Sequence, residues 1–192
     1  MTRSELFSVV QLGAYPATRS LGQDGRARLD DLIVEREGVD LTIDFAGVEV
    51  MNISFADEFL GKFLTSHDFA AANTTVKVSG LSADNRYSVV VCVERRESMV
   101  VALDDDGRLR LLGGDILAET FERALQLGSF KATDLAATMS LTPQNANNRL
   151  KRLASAGVLR KAQVMGSTRG GKEFTYEVVT AEVPDGDRLA SA

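Results

Sequence analysis

The chain has 192 residues, 44% of them hydrophobic and 26% charged, with a formal net charge of -5. That is the balance of a soluble globular protein, and no apolar run approaches the roughly 20 residues a bilayer-spanning helix needs. A single cysteine, Cys92, and a single histidine, His67, exclude an internal disulfide and a Cys/His zinc cluster, so no metal is expected.

The charge is unevenly spread. Residues 128–180 carry Lys131, Arg149, Lys151, Arg152, Arg160, Lys161, Arg169 and Lys172 against Asp134, Glu173 and Glu177. Residues 1–127 carry 13 basic and 21 acidic side chains. A basic module joined to an acidic one is the electrostatic footprint of a nucleic-acid binder with a separate regulatory part. The N-terminal residues Met1-Thr2-Arg3-Ser4-Glu5-Leu6 lack an apolar signal core, so a cytoplasmic protein with no membrane partner is expected.

In chain order, residues 6–12 are expected as a strand with Val9 and Val10 in its middle, ended by Gly13-Ala14-Tyr15-Pro16. Residues 26–36 are expected as a helix, with Ala27, Leu29, Leu32 and Ile33 on one face and Gly38 as its stop. Residues 39–45 alternate apolar and polar side chains, which predicts a strand that buries Leu41, Ile43 and Phe45. Ser54 then reads as the N-cap of a helix whose Phe55, Phe59, Phe63, Leu60 and Leu64 form a core-facing stripe. A strand over 75–78 and a helix over 82–96 follow. The segments 99–103 and 108–112 flank Asp104-Asp105-Asp106-Gly107, an Asp-Gly hairpin signal. The order of elements predicts an α/β sandwich with a mixed sheet covered by helices. Gly113-Gly114 is expected as a loose inter-domain junction.

Beyond it, residues 115–127 form an amphipathic helix closed by Gly128, and residues 131–139 a second, short one. A turn at Ser140-Leu141 leads to Thr142 as N-cap and Pro143 at the first helical position of a third helix. Two short helices across a tight turn are the skeleton of a helix-turn-helix. The third helix sends Ala146, Leu150 and Leu153 toward the core and Gln144, Asn145, Asn148, Lys151 and Arg152 the other way. Asn and Gln suit the adenine edge, while Arg149, Lys151 and Arg152 suit phosphates. Residues 159–165 pair with 173–179 across a glycine-rich loop bearing Arg169 and Lys172, a wing that approaches the DNA backbone. Gly170-Gly171-Lys172-Glu173 lacks the spacing of a nucleotide-phosphate loop.

Asp134-Leu135-Ala136, residues 149–153 (Arg-Leu-Lys-Arg-Leu) and Ala156-Gly157-Val158-Leu159 together resemble the winged helix-turn-helix of bacterial MarR- and ArsR-like regulators. That resemblance implies duplex DNA as partner and a homodimer reading two half-sites. Residues 41–48 (Leu-Thr-Ile-Asp-Phe-Ala-Gly-Val), 54–58 (Ser-Phe-Ala-Asp-Glu) and Arg19 with Arg26-Ala27-Arg28-Leu29 resemble the STAS-like domains of unknown function, over about residues 6–95. Related STAS domains are anti-sigma-factor antagonists phosphorylated by a partner kinase. The resemblance implies Ser54 as the phosphorylated position, although Asn52-Ile53-Ser54-Phe55 stands where those domains carry Asp-Ser-Ser-Gly.

The expected architecture is thus a STAS-like α/β (α+β) domain over 1–112, a winged helix-turn-helix over 113–180 and a disordered tail over 181–192. The expected function is a DNA-binding transcriptional regulator with an N-terminal regulatory or protein-interaction domain. The alternative is a partner-switching module whose winged helix docks protein. An enzyme is not expected: His67 has no nucleophile motif around it, Cys92 lies in the apolar run 89–93, and no cofactor signature is present.

Overall fold

The computed structural model describes residues 2–33, 38–164 and 173–182. Among these residues a five-stranded sheet has the order β1 (Arg3–Ser8), β2 (Val39–Asp44), β3 (Thr75–Ser79), β4 (Met99–Leu103), β5 (Leu109–Gly113). Its first four strands are parallel, and β5 returns antiparallel to β4 across the Asp-Gly turn, with Met99 opposite Gly113 and Leu103 opposite Leu109. The sheet is therefore mixed, as the order of elements predicted.

Parallel neighbours in sequential order, joined by right-handed crossovers, carry all their connecting helices on one face. Here these are α1 (Arg19–Ile33), the helical rod built of α2 (Ile53–Ala56), a π-helical turn (Asp57–Gly61) and α3 (Lys62–Ser66), and α4 (Ala83–Arg95). The first core lies beneath them. Leu41 and Ile43 of β2, Val76 and Val78 of β3, and Val100 and Ala102 of β4 meet Phe55, Phe59, Phe63, Leu60 and Leu64 of the rod there. Phe59 stacks on Phe55 at 5.2 Å and meets Phe45 edge-on at 6.4 Å.

Three expectations shift. The first strand ends at Ser8, and Val9–Leu12 turns as a 3-10 helix that leaves Val9 buried and Val10 exposed. Helix α1 begins at Arg19, seven residues before the expected start, because Gly22 and Gly25 face the rod. A Cβ on Gly22 would stand 2.9 Å from Glu58 Cβ, and one on Gly25 2.6 Å from Leu12 Cδ1. A Cβ on Gly25 would also stand 2.9 Å from Phe59 Cδ2 of the rod, so at both positions only hydrogen fits against the rod. The N-cap of the rod is Asn52, whose side chain accepts the Ser54 N–H at 2.7 Å, so Ser54 sits within the first turn and is half-buried.

The opposite face of the sheet is not covered by helices of the same unit. Helix α5 (Asp115–Leu127), β6 (Ser129–Lys131), α6 (Ala132–Thr138), α7 (Pro143–Ser155), β7 (Leu159–Val164) and β8 (Glu173–Val178) follow. The strands form an antiparallel sheet of order β6-β8-β7, and this unit lies on the free face. Met99 and Val101 of β4 share a second core with Leu117 and Phe121 of α5, Leu135 of α6, and Leu150 and Leu153 of α7. Of the polar alternates of β2 and β3, Thr42, Thr75 and Lys77 are buried here as well and Asp40 is half-buried. Asp40 accepts from Thr75 and from Arg160 of β7, while Arg160 also donates to Asn73 O at 2.6 Å. Lys77, 2% exposed, donates to Thr180 O at 2.7 Å and to Glu182 O. Burial holds the Lys77 ammonium below the usual lysine range.

Gly113 and Gly114 take left-handed φ values of 74° and 66°, and a Cβ on Gly113 would lie 2.6 Å from Ser98 O. The expected loose junction is instead a packed turn. The end of the expected 26–36 helix, the loop bearing Arg169 and Lys172, and the expected tail beyond residue 182 lie outside the described residues. No helix among the described residues is long and apolar enough to cross a membrane.

Candidate nucleic-acid interface

Helix α7 starts where the sequence placed it. Thr142 Oγ1 accepts the Asn145 N–H at 3.2 Å, and Pro143 takes the first helical position. Helix α6 is held at its start by Asp134, whose carboxylate accepts the Lys131 N–H at 2.8 Å. Its chain leaves through Leu141, whose N–H donates to Ala136 O at 2.8 Å, and Ser140 there adopts φ 53°. This turn sets α7 across α6. Ala146, Leu150, Leu153 and Ala154 are buried, and Thr142, Gln144, Asn145, Asn148, Lys151 and Arg152 are exposed.

The outward residues do not form one surface. Gln144, Asn148 and Lys151 recur at helical spacing, with Gln144 Nε2 donating to Asn148 Oδ1 at 3.0 Å. They line a groove of about 560 Å³ between α7 and the β7–β8 hairpin, together with Asn147, Lys161 and Phe174. Lys161 sets its ammonium 3.9 Å over the Phe174 ring, a cation–π contact that fixes the charge at the groove floor. Arg152 lies round the helix, bordering a separate hollow with Glu94, Glu97, Asp115 and the exposed Ile116.

Arg149 departs from its expected role. Its Nη1 donates to the buried Thr120 Oγ1 of α5 at 3.0 Å and its Nε to Asn145 Oδ1 at 3.3 Å. The guanidinium is thus turned back to tie α7 to α5. Arg160, counted in the basic surplus, is spent on Asp40, and Lys131 pairs with Glu173 at 3.0 Å. Among the described residues, the positive groups at the groove are therefore Lys151 and Lys161. Asn147 and Lys161 were not singled out from the sequence, though Asn147 lies in the same amide run.

The helix rod offers other charged contacts, each with an intramolecular partner. Asp57 receives Arg96 through two bonds at 2.7 and 2.8 Å, and the Arg96 hydrogen bond holds its carboxyl below the usual range. Glu58 is held down likewise, chiefly by the Lys62 ammonium at 2.7 Å. Cys92 lies against this rod, and burial pushes its thiol up to about 12. A thiol held protonated is a poor nucleophile. The native protein is accordingly expected to leave Cys92 unreacted with an aromatic disulfide reagent at pH 8 and to release one equivalent of chromophore only in denaturant. Fast release from the folded protein would contradict this burial. Among the described residues no cluster of His, Cys, Asp and Glu could hold a metal ion.

The mixed sheet with its helices on one face fits a STAS-like N-terminal unit. Residues 27–86, from the middle of α1 to the first turn of α4, match the family model described as STAS-like domain of unknown function (DUF4325). No curated protein and no solved structure matches the chain.

Proposed function

We propose that the protein is a non-enzymatic, duplex-DNA-binding transcriptional regulator of the cytoplasm. Its α5–β8 unit acts as a winged helix-turn-helix, and its STAS-like unit is the regulatory or protein-interaction module. The observation that carries this reading is the stripe Gln144–Asn148–Lys151, exposed on a helix capped by Thr142 and flanked by the β7–β8 hairpin. Amides at the start of such a helix suit base edges in the major groove, and lysines beside a hairpin suit the adjoining phosphates. A homodimer on two half-sites accompanies the reading, since helix-turn-helix proteins of this kind pair their recognition helices one helical turn apart. The test is selection of duplexes from a random pool by the purified protein, followed by sequencing. Enrichment of one palindrome is expected; a pool left unenriched, with no salt-sensitive retention, rejects the proposal.

One observation favours the protein-docking alternative as well. Val10, on the 3-10 turn, and Tyr15 and Val50, on the loops that follow β1 and β2, are exposed, and the two loops are held together by Glu49 N–H to Ala14 O at 2.9 Å and Asn52 N–H to Pro16 O at 3.0 Å. Val50 precedes Ser54, the position implied for phosphorylation, by four residues. In that reading a kinase-like partner docks there and modifies Ser54. A stable complex with such a partner, formed while duplex DNA stays unbound, would select this alternative.

A further inference from the structure

The groove beside α7 has a third wall that does not belong to its own unit. Asp68, Ala70 and Ala71, in the turn that leaves α3, line it together with Gln144, Asn148, Lys151 and Lys161. Asp68 is exposed. Its position is nevertheless fixed, because its neighbour Phe69 is fully buried against Gly157 at the exit of α7, where a Cβ would stand 3.2 Å from the ring. The Phe69 N–H donates to Ser155 O of α7 at 3.1 Å. The Ala70 N–H donates to the Asp68 carboxylate at 3.2 Å, and the Ala71 N–H to Asp68 O at 3.1 Å. The turn therefore moves with α7.

We propose that the STAS-like unit supplies the far wall of the duplex-binding groove, and that Asp68 there weakens binding by facing the phosphate backbone and sharing the field of Lys151 and Lys161. This rests on the DNA-binding reading above. A carboxylate lining the same groove as Lys151 and Lys161 repels a phosphate bound there at a distance shorter than the Debye length, so salt does not remove the effect at low ionic strength. A like charge at an interface also disfavours wrong partners, which makes the wall a determinant of how far a duplex can settle along α7. Because the turn continues from the rod that begins at Asn52 and Ser54, the STAS-like unit holds the wall directly, without a linker.

The experiment is fluorescence anisotropy of the full chain with a random-sequence duplex across a salt series, for wild type, Asp68→Asn, Asp68→Lys and Lys151→Glu. Asparagine keeps an acceptor for the Ala70 N–H, so melting temperature is expected to be unchanged. Asp68→Asn is expected to tighten binding about threefold at low salt and Asp68→Lys about tenfold, with the gain shrinking as salt rises. If Lys151→Glu weakens binding while both Asp68 variants bind like wild type or more weakly, the wall inference is overturned and the DNA-binding reading stands. If none of the four proteins binds, both fall.

Discussion

Truncation of Phe69 to alanine is expected to destabilise the protein by about 3–5 kcal/mol, the range for deleting a fully buried phenylalanine ring. The ring is 0% exposed and packs on Phe63 at 5.5 Å and His67 at 5.7 Å on one side, and on Gly157 on the other. It belongs to the first core, while Gly157 closes the helix that forms the second, so its removal leaves a cavity where the units meet. For a chain of this size the loss corresponds to a fall of roughly 6–20 °C in Tm. Scanning calorimetry should show one transition displaced as a whole, because Met99 and Val101 of the sheet are themselves part of the second core. Two transitions of which one alone moves would mean that the units unfold independently. Gly157→Ala is expected to act in the same direction: φ is +74° there and the added Cβ would press on the Phe69 ring.

Period-2 alternation in β2 was legible and named the buried face correctly. Leu41, Ile43 and Phe45 are all buried. What the pattern could not disclose is that the polar alternates are covered too. Asp40, Thr42, Thr75 and Lys77 spell a solvent face, and they lie beneath a second unit in which Arg160 bonds Asp40 and the carbonyls of Thr180 and Glu182, far along the chain, accept from Lys77. Such partners carry no local signal. The glycines of α1 misled for a related reason. Gly22 and Gly25 are poor helix formers by propensity, and their merit appears only when the rod is seen lying across them. Residue type favours Ser54 as a cap, although Asn52 two positions earlier is an equally good cap and has the extended backbone the position requires.

At the candidate interface, the cap, the proline and the amphipathic division of α7 were all legible, since each is a local property. The assignment of its cations was not. Arg149 and Lys151 stand two residues apart and look equivalent in composition, yet one reaches back to Thr120 and the other faces the groove. That difference is one of angle around the helix relative to a neighbour, α5, whose placement the sequence does not give. Nothing local to Lys161 distinguishes it from the other basic residues of 128–180. The hairpin's position beside α7 does so.

The three cations of α7 should consequently behave differently when changed. Lys151→Glu is expected to weaken duplex binding about tenfold or more at low salt. On the proposed DNA-binding reading it removes a phosphate contact, and it places a carboxylate at the groove that Lys161 shares. It should also flatten the plot of log K against log salt by about 0.9, the share of one phosphate contact. Arg152→Glu should cost less, because Arg152 borders Glu94, Glu97 and Asp115 and so contributes a field already offset by acids. Arg149→Gln should leave the salt slope close to wild type and lower the melting temperature instead, since it removes a bond to a buried hydroxyl and leaves Thr120 without its donor. Binding isotherms at four or five salt concentrations, with melting curves of the same preparations, separate these outcomes. An unchanged slope for Lys151→Glu would place the duplex elsewhere. Equal losses from all three would mean that net charge, rather than the groove beside α7, governs the binding.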